Sequence, residues 1–467
     1  MAQQIRQENW DVVVIGGGAA GVAAAIAAAR NGARTILVDA GPMIGGEMTS
    51  GIPIDGCLST AGEWVVGGVI RDIFAECERL GGYIGPINDY RSLNVVAVDP
   101  EIMKIAVVNM VHAAGVKLLL YTFAEDVVMA GGRVEGVMVL NKSQRTLLRA
   151  KTIIDCSGDG DIAAAAGAPF EKGDETKGDL QPVTMVFRMM GVDTDRLLDF
   201  LVAEPDNFGL AEYADKRMTV QQAAAGLRKQ GLAKAFLVAH GPLMQAAIAR
   251  GELYATSMIA VTPVSIARKE VSLNTTRVGH LDATKTDKLS GVLPDLLEQV
   301  WMCSEFMRRN VPGFENAVFS GIAPRIGIRE TRRIMGDVVL NGEDIMQARK
   351  RDDGIGKGAH ELDIHLAGTG HVRSTIKDGG SYDIPWGCLL PKGLANVMIA
   401  GRCLSSTREA HSSARVMGTC MAMGQATGTA AALCASANTW GGDVREIPIG
   451  RLRDVLRSQG AVLDGTL

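Results

Sequence analysis

Asp11-Val12-Val13-Val14-Ile15-Gly16-Gly17-Gly18-Ala19-Ala20-Gly21-Val22-Ala23-Ala24-Ala25-Ile26 is the stretch from which the rest of the chain can be read. Asp11 to Ile15 is a short β-branched apolar run, which predicts a buried parallel strand. Gly16 to Gly21 then fits G-x-G-x-x-G. Ala19 to Asn31 is rich in Ala and helix-forming, and Gly32 is its C-terminal stop. Arg34 to Val38 is a second strand, ending at Asp39. In such a unit Gly16 permits the tight turn. Gly18 lets backbone approach a pyrophosphate, and Gly21 lets the helix pack on the strand. The helix N-terminus offers free N–H groups and a positive dipole end to the phosphates. Asp39 is placed to hold the adenosine ribose hydroxyls. Strand, glycine turn, helix, second strand and acid in this order predict a dinucleotide-binding βαβ unit.

Working outward, the chain has 467 residues, enough for two or three domains. Its 21% charged and 47% hydrophobic residues are those of an ordinary globular protein. With a formal net charge of −4 and no long basic run, nucleic acid and anionic membrane are not expected partners. The apolar stretch Val12–Ala29 resembles a signal or membrane span only superficially. Asp11 precedes it and three consecutive glycines interrupt it, so no membrane span is expected. The eight cysteines show neither C-x-x-C spacing nor a disulfide framework, so no metal site and a reducing cytoplasm are expected.

Further along, Pro100–Ala114 reads as an amphipathic helix and Lys117–Tyr121 as a strand. Ala124–Met129, Arg133–Leu140 and Arg145–Ala150 read as an antiparallel meander turning at Gly131–Gly132. Thr152–Cys156 is another buried strand. From Phe170 the character changes to charged loops, then helices over Val220–Gln230 and Leu232–Arg250, then β-rich segments. A long helix is expected over Leu289–Arg309, a loop over Gly354–Gly380, a strand over Val397–Ala400 and one helix over Ser412–Ala437. The expected fold class is α/β: a Rossmann-like domain in two parts, 1–169 and 326–467, with an α+β substrate or cap domain inserted at 170–325.

Which dinucleotide binds is decided after Asp39. The loop Gly41-Pro42-Met43-Ile44-Gly45-Gly46-Glu47-Met48-Thr49-Ser50-Gly51 resembles the post-ribose loop of glutathione-reductase-like flavoproteins. Ile153-Ile154-Asp155-Cys156-Ser157-Gly158-Asp159-Gly160-Asp161 resembles a strand and turn of the FAD-dependent oxidoreductases. Gly327 to Gly336, with Arg329, Glu330, Arg332 and Arg333, looks like their "G-x-RE-x-RR-x-x-G" element. Ala400 to Ser405 and Arg415 to Gly428 resemble their C-terminal signature. The resemblance implies FAD as cofactor and a glutathione-reductase-type FAD fold. On the motif and the resemblance together, the expected cofactor-binding residues are Gly16, Gly18, Ala20, Gly21, Asp39, Ala40, Gly45, Gly46, Glu47, Ala124, Ser157, Gly158, Asp161, Gly401, Arg402, Val416 and Met417.

The C-terminal stretch is also distantly similar to the flavin subunits of fumarate reductases and succinate dehydrogenases. That similarity implies that His411 and Arg415 lie over the flavin ring and contact substrate. Arg402 departs from it, standing where an acid is expected to hold the ribityl chain. On physical grounds the helix beginning near Arg415 is rich in Ala and Gly and can pack tightly under a cofactor. Its first N–H groups, from Val416 and Met417, suit the flavin pyrimidine edge and would stabilise an anionic reduced ring.

Oxidation of a C–H bond by a flavin needs hydride to leave for N5 and a base to take a proton. Four of the seven histidines, His360, His365, His371 and His411, lie between 360 and 411, and an imidazole titrates where such a proton moves. His411 is the first candidate and His365 the second. His360-Glu361-Leu362-Asp363-Ile364-His365 mimics H-E-x-x-H, but the second His comes one residue late for a helical zinc site. Of Arg329, Arg332 and Arg333, one is expected to anchor an anionic substrate group, with Arg329 the candidate. The others are expected to pair with acids such as Glu330 or Asp337. Tyr382, in a segment resembling the family's "Y-x-IP-Y", is a candidate hydrogen-bond donor to substrate. The function expected is an FAD-dependent dehydrogenase or oxidase of a small, anionic or hydroxylated metabolite. A double-bond reductase, a monooxygenase and a non-redox FAD protein are the alternatives. The electron acceptor is left open between oxygen, a quinone and a carrier protein, and the oligomeric state is open too, a homo-oligomer included.

Overall fold

The computed structural model describes residues 5–174, 176–212, 218–436 and 442–465. Strands Lys117–Leu119, Thr35–Val38, Arg6–Ile15, Arg145–Asp155 and Val397–Ile399 lie side by side in that order, all parallel. Phe123–Ala130 and Arg133–Leu140 join antiparallel and complete a seven-stranded sheet. The parallel strands are apolar because helices and loops cover both faces; Val12, Val13 and Val14 are fully buried. The expected break between Arg145–Ala150 and Thr152–Cys156 is absent. Nothing at Lys151 interrupts the backbone, so one strand of 11 residues serves the meander at one end and the parallel core at the other.

The helix Ala19–Arg30 leaves the first strand through the glycine turn. A Cβ on Gly21 would fall 1.8 Å from the Gly16 carbonyl oxygen, so only a bare backbone closes this turn. The helix Met417–Ser436 packs against Ala19–Arg30 as tightly. Cβ atoms on Gly424 and Gly428 would each lie 2.1 Å from a carbonyl oxygen, of Ala20 and Ala24 respectively. The small residues of both helices are thus explained by backbone-to-backbone contact.

Residues 187–322 supply a separate five-stranded antiparallel sheet, in the order Ala235–Val238, Met258–Ser265, Glu270–Asn274, Phe187–Met190, Val318–Ile322. It has a core of its own, including Phe187, Leu201, Leu273 and Phe306. A two-stranded ladder of Phe170–Lys172 with Arg332–Ile334 ties together the chain entering and leaving this unit.

Four expectations are corrected. Leu232–Arg250 is a strand, Ala235–Val238, followed by a helix, Pro242–Ala249. Pro242 has no N–H to give and can only begin a helix. Leu289–Arg309 is divided into Thr286–Gly291 and Leu293–Asn310, with Pro294 again in the first turn. Gly354–Gly380 is no loop but carries strands Gly354–Gly358, Leu362–His365 and His371–Ser374. Its glycines include one required by packing, since a Cβ on Gly356 would lie 3.0 Å from Ala422 Cβ. The last helix is two, Arg408–Ala414 and Met417–Ser436, broken at Arg415-Val416; Ala437 lies outside the described residues. Among the described residues no helix is long and apolar enough to cross a membrane.

The helix contact makes Gly428→Ala a direct probe. The substitution is expected to cost about 1–3 kcal/mol through overpacking, read as a lower urea midpoint. An unchanged midpoint would show that the two helices are not in backbone contact.

Candidate active site

A cleft of about 520 Å³ runs from the glycine turn to the break before Met417. Gly16, Gly18, Ala20 and Asp39 line its start, Gly46, Ser157, Gly158, Gly401 and Arg402 its middle, and Val416 and Met417 its far end. At Gly18 an added Cβ would meet no protein atom within 4 Å, and its φ of −73° is open to any residue. The missing side chain therefore keeps the cleft open rather than relieving the fold. Asp39 accepts from the Gly17 and Gly41 N–H groups at 2.6 and 2.7 Å. A carboxylate has further lone pairs to offer a ribose.

Arg325 also lines the cleft. Its Nη2 donates to the Met43 carbonyl at 3.2 Å, and its buried Nε has no partner. A bare cradle, an unpaired guanidinium edge and a helix N-terminus together fit a bound pyrophosphate. Arg402 is held across the cleft by Asp159 at 2.7 Å and the Gly158 carbonyl at 3.0 Å.

Five expected cofactor residues do not line the cleft. Gly21 closes the turn behind it, and Gly45 turns the chain at φ 108° just before Gly46. Ala40 is exposed, and Ala124 packs on the core beside the sheet. Asp161 pairs with Arg332 at 2.7 Å. Residues that sequence reading missed are Asp159, Arg325 and Asp55. Asp159 was visible in the turn motif itself, whereas Arg325 and Asp55 belong to no motif.

The cleft opens into a second cavity, a chamber of about 210 Å³. Glu47, Asp55, Arg329, Arg415 and Val416 line both and mark the junction. Arg415 and Val416 reach it because the helix breaks there. Arg329 donates to the Pro182 carbonyl at 2.7 Å and Arg415 to Gln181 Oε1 at 3.2 Å. Arg277, from the chamber wall, donates to the Leu366 carbonyl at 2.6 Å. None of these three arginines forms an ion pair with a described residue. Burial pushes Arg329 below its ordinary range, and the Arg415 and Arg277 guanidiniums push it further. The other two arginines of the motif are neutralised: Arg332 by Asp161, and Arg333 by Glu330 at 2.6 Å in a fully buried pair.

Alternate positions on strand Leu362–His365 put Asp363 and His365 on one face. His365 Nε2 lies 3.2 Å from Asp363 Oδ2. Across the ladder His371 pairs with His365, and its Nδ1 lies 3.4 Å from Asp363 Oδ1. Arg373 Nε donates to the same oxygen at 2.9 Å. The two imidazoles and the carboxylate lie close enough to ligate a metal. However, Arg373 already holds Asp363, and Arg277 Nη1 stands 3.3 Å from His371 Nε2. These fixed positive charges oppose a cation. Burial holds His365 well below its ordinary value of 6.5, against the pull of Asp363. Asp363-Ile364-His365 was visible in the sequence, but with the segment read as a loop Asp363 was given no role.

His411 and Tyr382 are placed otherwise than expected. His411 is 0% exposed, lines neither cavity, and donates through Nε2 to the Arg402 carbonyl at 2.8 Å. Burial and the neighbouring Arg415 and Arg333 keep it uncharged. It braces the turn carrying Arg402. Tyr382 is equally buried and bonds to the Ser413 hydroxyl at 2.8 Å, away from both cavities.

The sequence pattern of the FAD dependent oxidoreductases matches residues 11–456. The chain belongs to that family. Beyond it, likeness is local or loose. The tRNA uridine 5-carboxymethylaminomethyl modification enzyme MnmG of Lactococcus lactis subsp. lactis (strain IL1403) is 46% identical over 79 residues, 17% of this chain and 11% of that enzyme. The chain thus matches about a tenth of that relative's length. Among solved structures, a geranylgeranyl bacteriochlorophyll reductase-like protein from Thermoplasma acidophilum aligns with 97% of this chain and 84% of its own, at TM-score 0.45 and 13% identity. The flavin-dependent brominase Bmp2 aligns with 96% and 83%, at TM-score 0.47 and 13% identity. Likeness this loose carries neither reaction nor substrate across.

Gly18→Val separates cleft from fold. This FAD-dependent oxidoreductase variant is expected to remain folded and lose its flavin, read as a native melting transition without flavin absorbance. Normal flavin occupancy would refute the placement of the pyrophosphate.

Proposed function

We propose that the protein is a dehydrogenase or oxidase of a small, anionic, hydroxylated metabolite. One observation carries this reading: three half-buried arginines line the chamber, Arg329 and Arg415 at its junction with the cleft and Arg277 on its wall, and none forms an ion pair with a described residue. Holding like charges together partly out of water is costly, and a bound anion offsets that cost.

FAD in the cleft supplies an acceptor for the two electrons and the hydrogen of a carbinol C–H bond. The chain's own residues do the rest. The arginines fix the anionic group, bidentately where the guanidinium plane allows. His365 Nε2 donates to Asp363, which leaves Nδ1 with its lone pair and no bond to a described residue. His365 therefore takes the substrate's hydroxyl proton at Nδ1, and Asp363 stabilises the imidazolium formed. Bonds from His371 and Arg373 keep Asp363 ionised and fixed. The eight free, buried cysteines suit the reducing cytoplasm we assign to the protein.

Anaerobic titration of the yellow holoenzyme with a panel of hydroxy acids tests the reading; a member of the panel should bleach it. Bleaching only by an added reductant, with colour restored by an unsaturated acid, would establish a double-bond reductase instead. His365→Asn is expected to slow bleaching roughly 10²–10⁴-fold with flavin retained. Because the His365 pKa is lowered from 6.5, its base form persists through neutrality, and the rate should fall only at pH below that value. A rate limb above it would exclude His365 as the base. Arg415→Ala should abolish bleaching while keeping FAD; joint loss would make Arg415 a cofactor residue.

A further inference from the structure

The three arginines account for one end of a bound metabolite. The remaining chamber wall carries both signs of charge. Asp89 and Lys234 are each 2% exposed and face the chamber. Asp89 Oδ1 accepts from the Arg91, Ser92 and Leu93 N–H groups at 2.9, 2.8 and 2.8 Å. Its Oδ2 bonds to no described residue. Lys234 Nζ donates to the Thr262 hydroxyl at 2.9 Å and stands 4.3 Å from the Phe236 ring centroid. It has three N–H bonds to give and no carboxylate within ion-pair distance among the described residues. The Asp55 carboxyl at the junction likewise has no hydrogen-bond partner among them. Burial pushes Asp55 up and Lys234 down.

A second carboxylate entering here would meet Asp55 and Asp89 and be repelled. An apolar chain would leave the remaining N–H bonds of Lys234, Asp89 Oδ2 and the Asp55 carboxyl unsatisfied and shut off from water, which is costly. A hydroxyl meets neither objection, because it accepts from Lys234 while donating to Asp89 or Asp55. We propose that the chamber takes a polyhydroxylated monocarboxylate, a sugar acid, with its carboxylate on Arg277, Arg329 and Arg415 and its hydroxyl chain read by Lys234, Asp89 and Asp55. The anionic head rests on the function proposed above; the hydroxyl chain rests on this wall alone.

The test is calorimetric titration of the anaerobic holoenzyme with gluconate, hexanoate, adipate and glucitol. Gluconate is expected to bind at least about tenfold more tightly than each of the others. Lys234→Met, or Asp89→Asn, which keeps an oxygen for the three backbone donors, should remove that advantage without changing hexanoate affinity. Arg329→Met should weaken gluconate and hexanoate alike. Hexanoate equal to gluconate overturns the reading of the wall and leaves the anionic head standing. Adipate tighter than gluconate overturns it in favour of a second anion site. Glucitol binding with no carboxylate binding, or no binding by any of the four, overturns the anionic head as well and the proposed function with it.

Discussion

The structure depends on backbone approaching backbone where side chains are missing. Gly21 against the Gly16 carbonyl, and Gly424 and Gly428 against those of Ala20 and Ala24, leave no room for a Cβ. These contacts hold helices Ala19–Arg30 and Met417–Ser436 against each other although they lie about 400 residues apart in the chain. Both ends of the cofactor cleft are thereby fixed to one rigid pair. The glycine turn sits at the N-terminus of one helix and Val416-Met417 at the N-terminus of the other, so two positive helix ends face one cleft.

Around that pair the inserted antiparallel sheet and the hairpin carrying Asp363, His365 and His371 close the chamber. The division of labour follows from position. The glycine turn, Asp39 and the Ser157-Gly158 turn line the cleft, groups on the inserted sheet line only the chamber, and Arg329 and Arg415 line both. The buried acids and bases of the motifs are sorted in the same way. Glu330 neutralises Arg333, Asp161 neutralises Arg332, and Arg329 alone of the three is left for a ligand.

Where a residue's position is set by local backbone geometry, the sequence was enough. The glycine turn, Asp39, the Ser157-Gly158 turn and the positions of Val416 and Met417 were all legible, because each is a local pattern with one structural solution. The pairing of two of the three arginines was legible as chemistry, and so was Glu330 as one of the acids; that Arg332 would find Asp161 was not. What stayed hidden depends on distant parts of the chain. Arg277 and Lys234 belong to the inserted sheet and acquire meaning only when that sheet meets the hairpin. His411 was misjudged because its place before a flavin-facing helix does not reveal which way its ring turns. Its imidazole faces inward to the Arg402 carbonyl. His365 was named from the sequence, but the strand that sets it beside Asp363 was masked by glycines that mimic a loop, one of which, Gly356, packs close to Ala422.

The break at Arg415-Val416 has a thermodynamic consequence. By interrupting the helix it sets one guanidinium on the boundary of two cavities, next to a second, Arg329, in the same position. Neither forms an ion pair with a described residue, so each responds to charge arriving on either side. An anion that settles in the chamber lowers the positive potential felt across the boundary, and negative charge gained in the cleft lowers the affinity for that anion. By reciprocity the two effects are equal in free energy. Occupancy of one cavity and charge in the other are thus linked quantities, and the strength of that link is set by two unpaired side chains rather than by any movement of the fold.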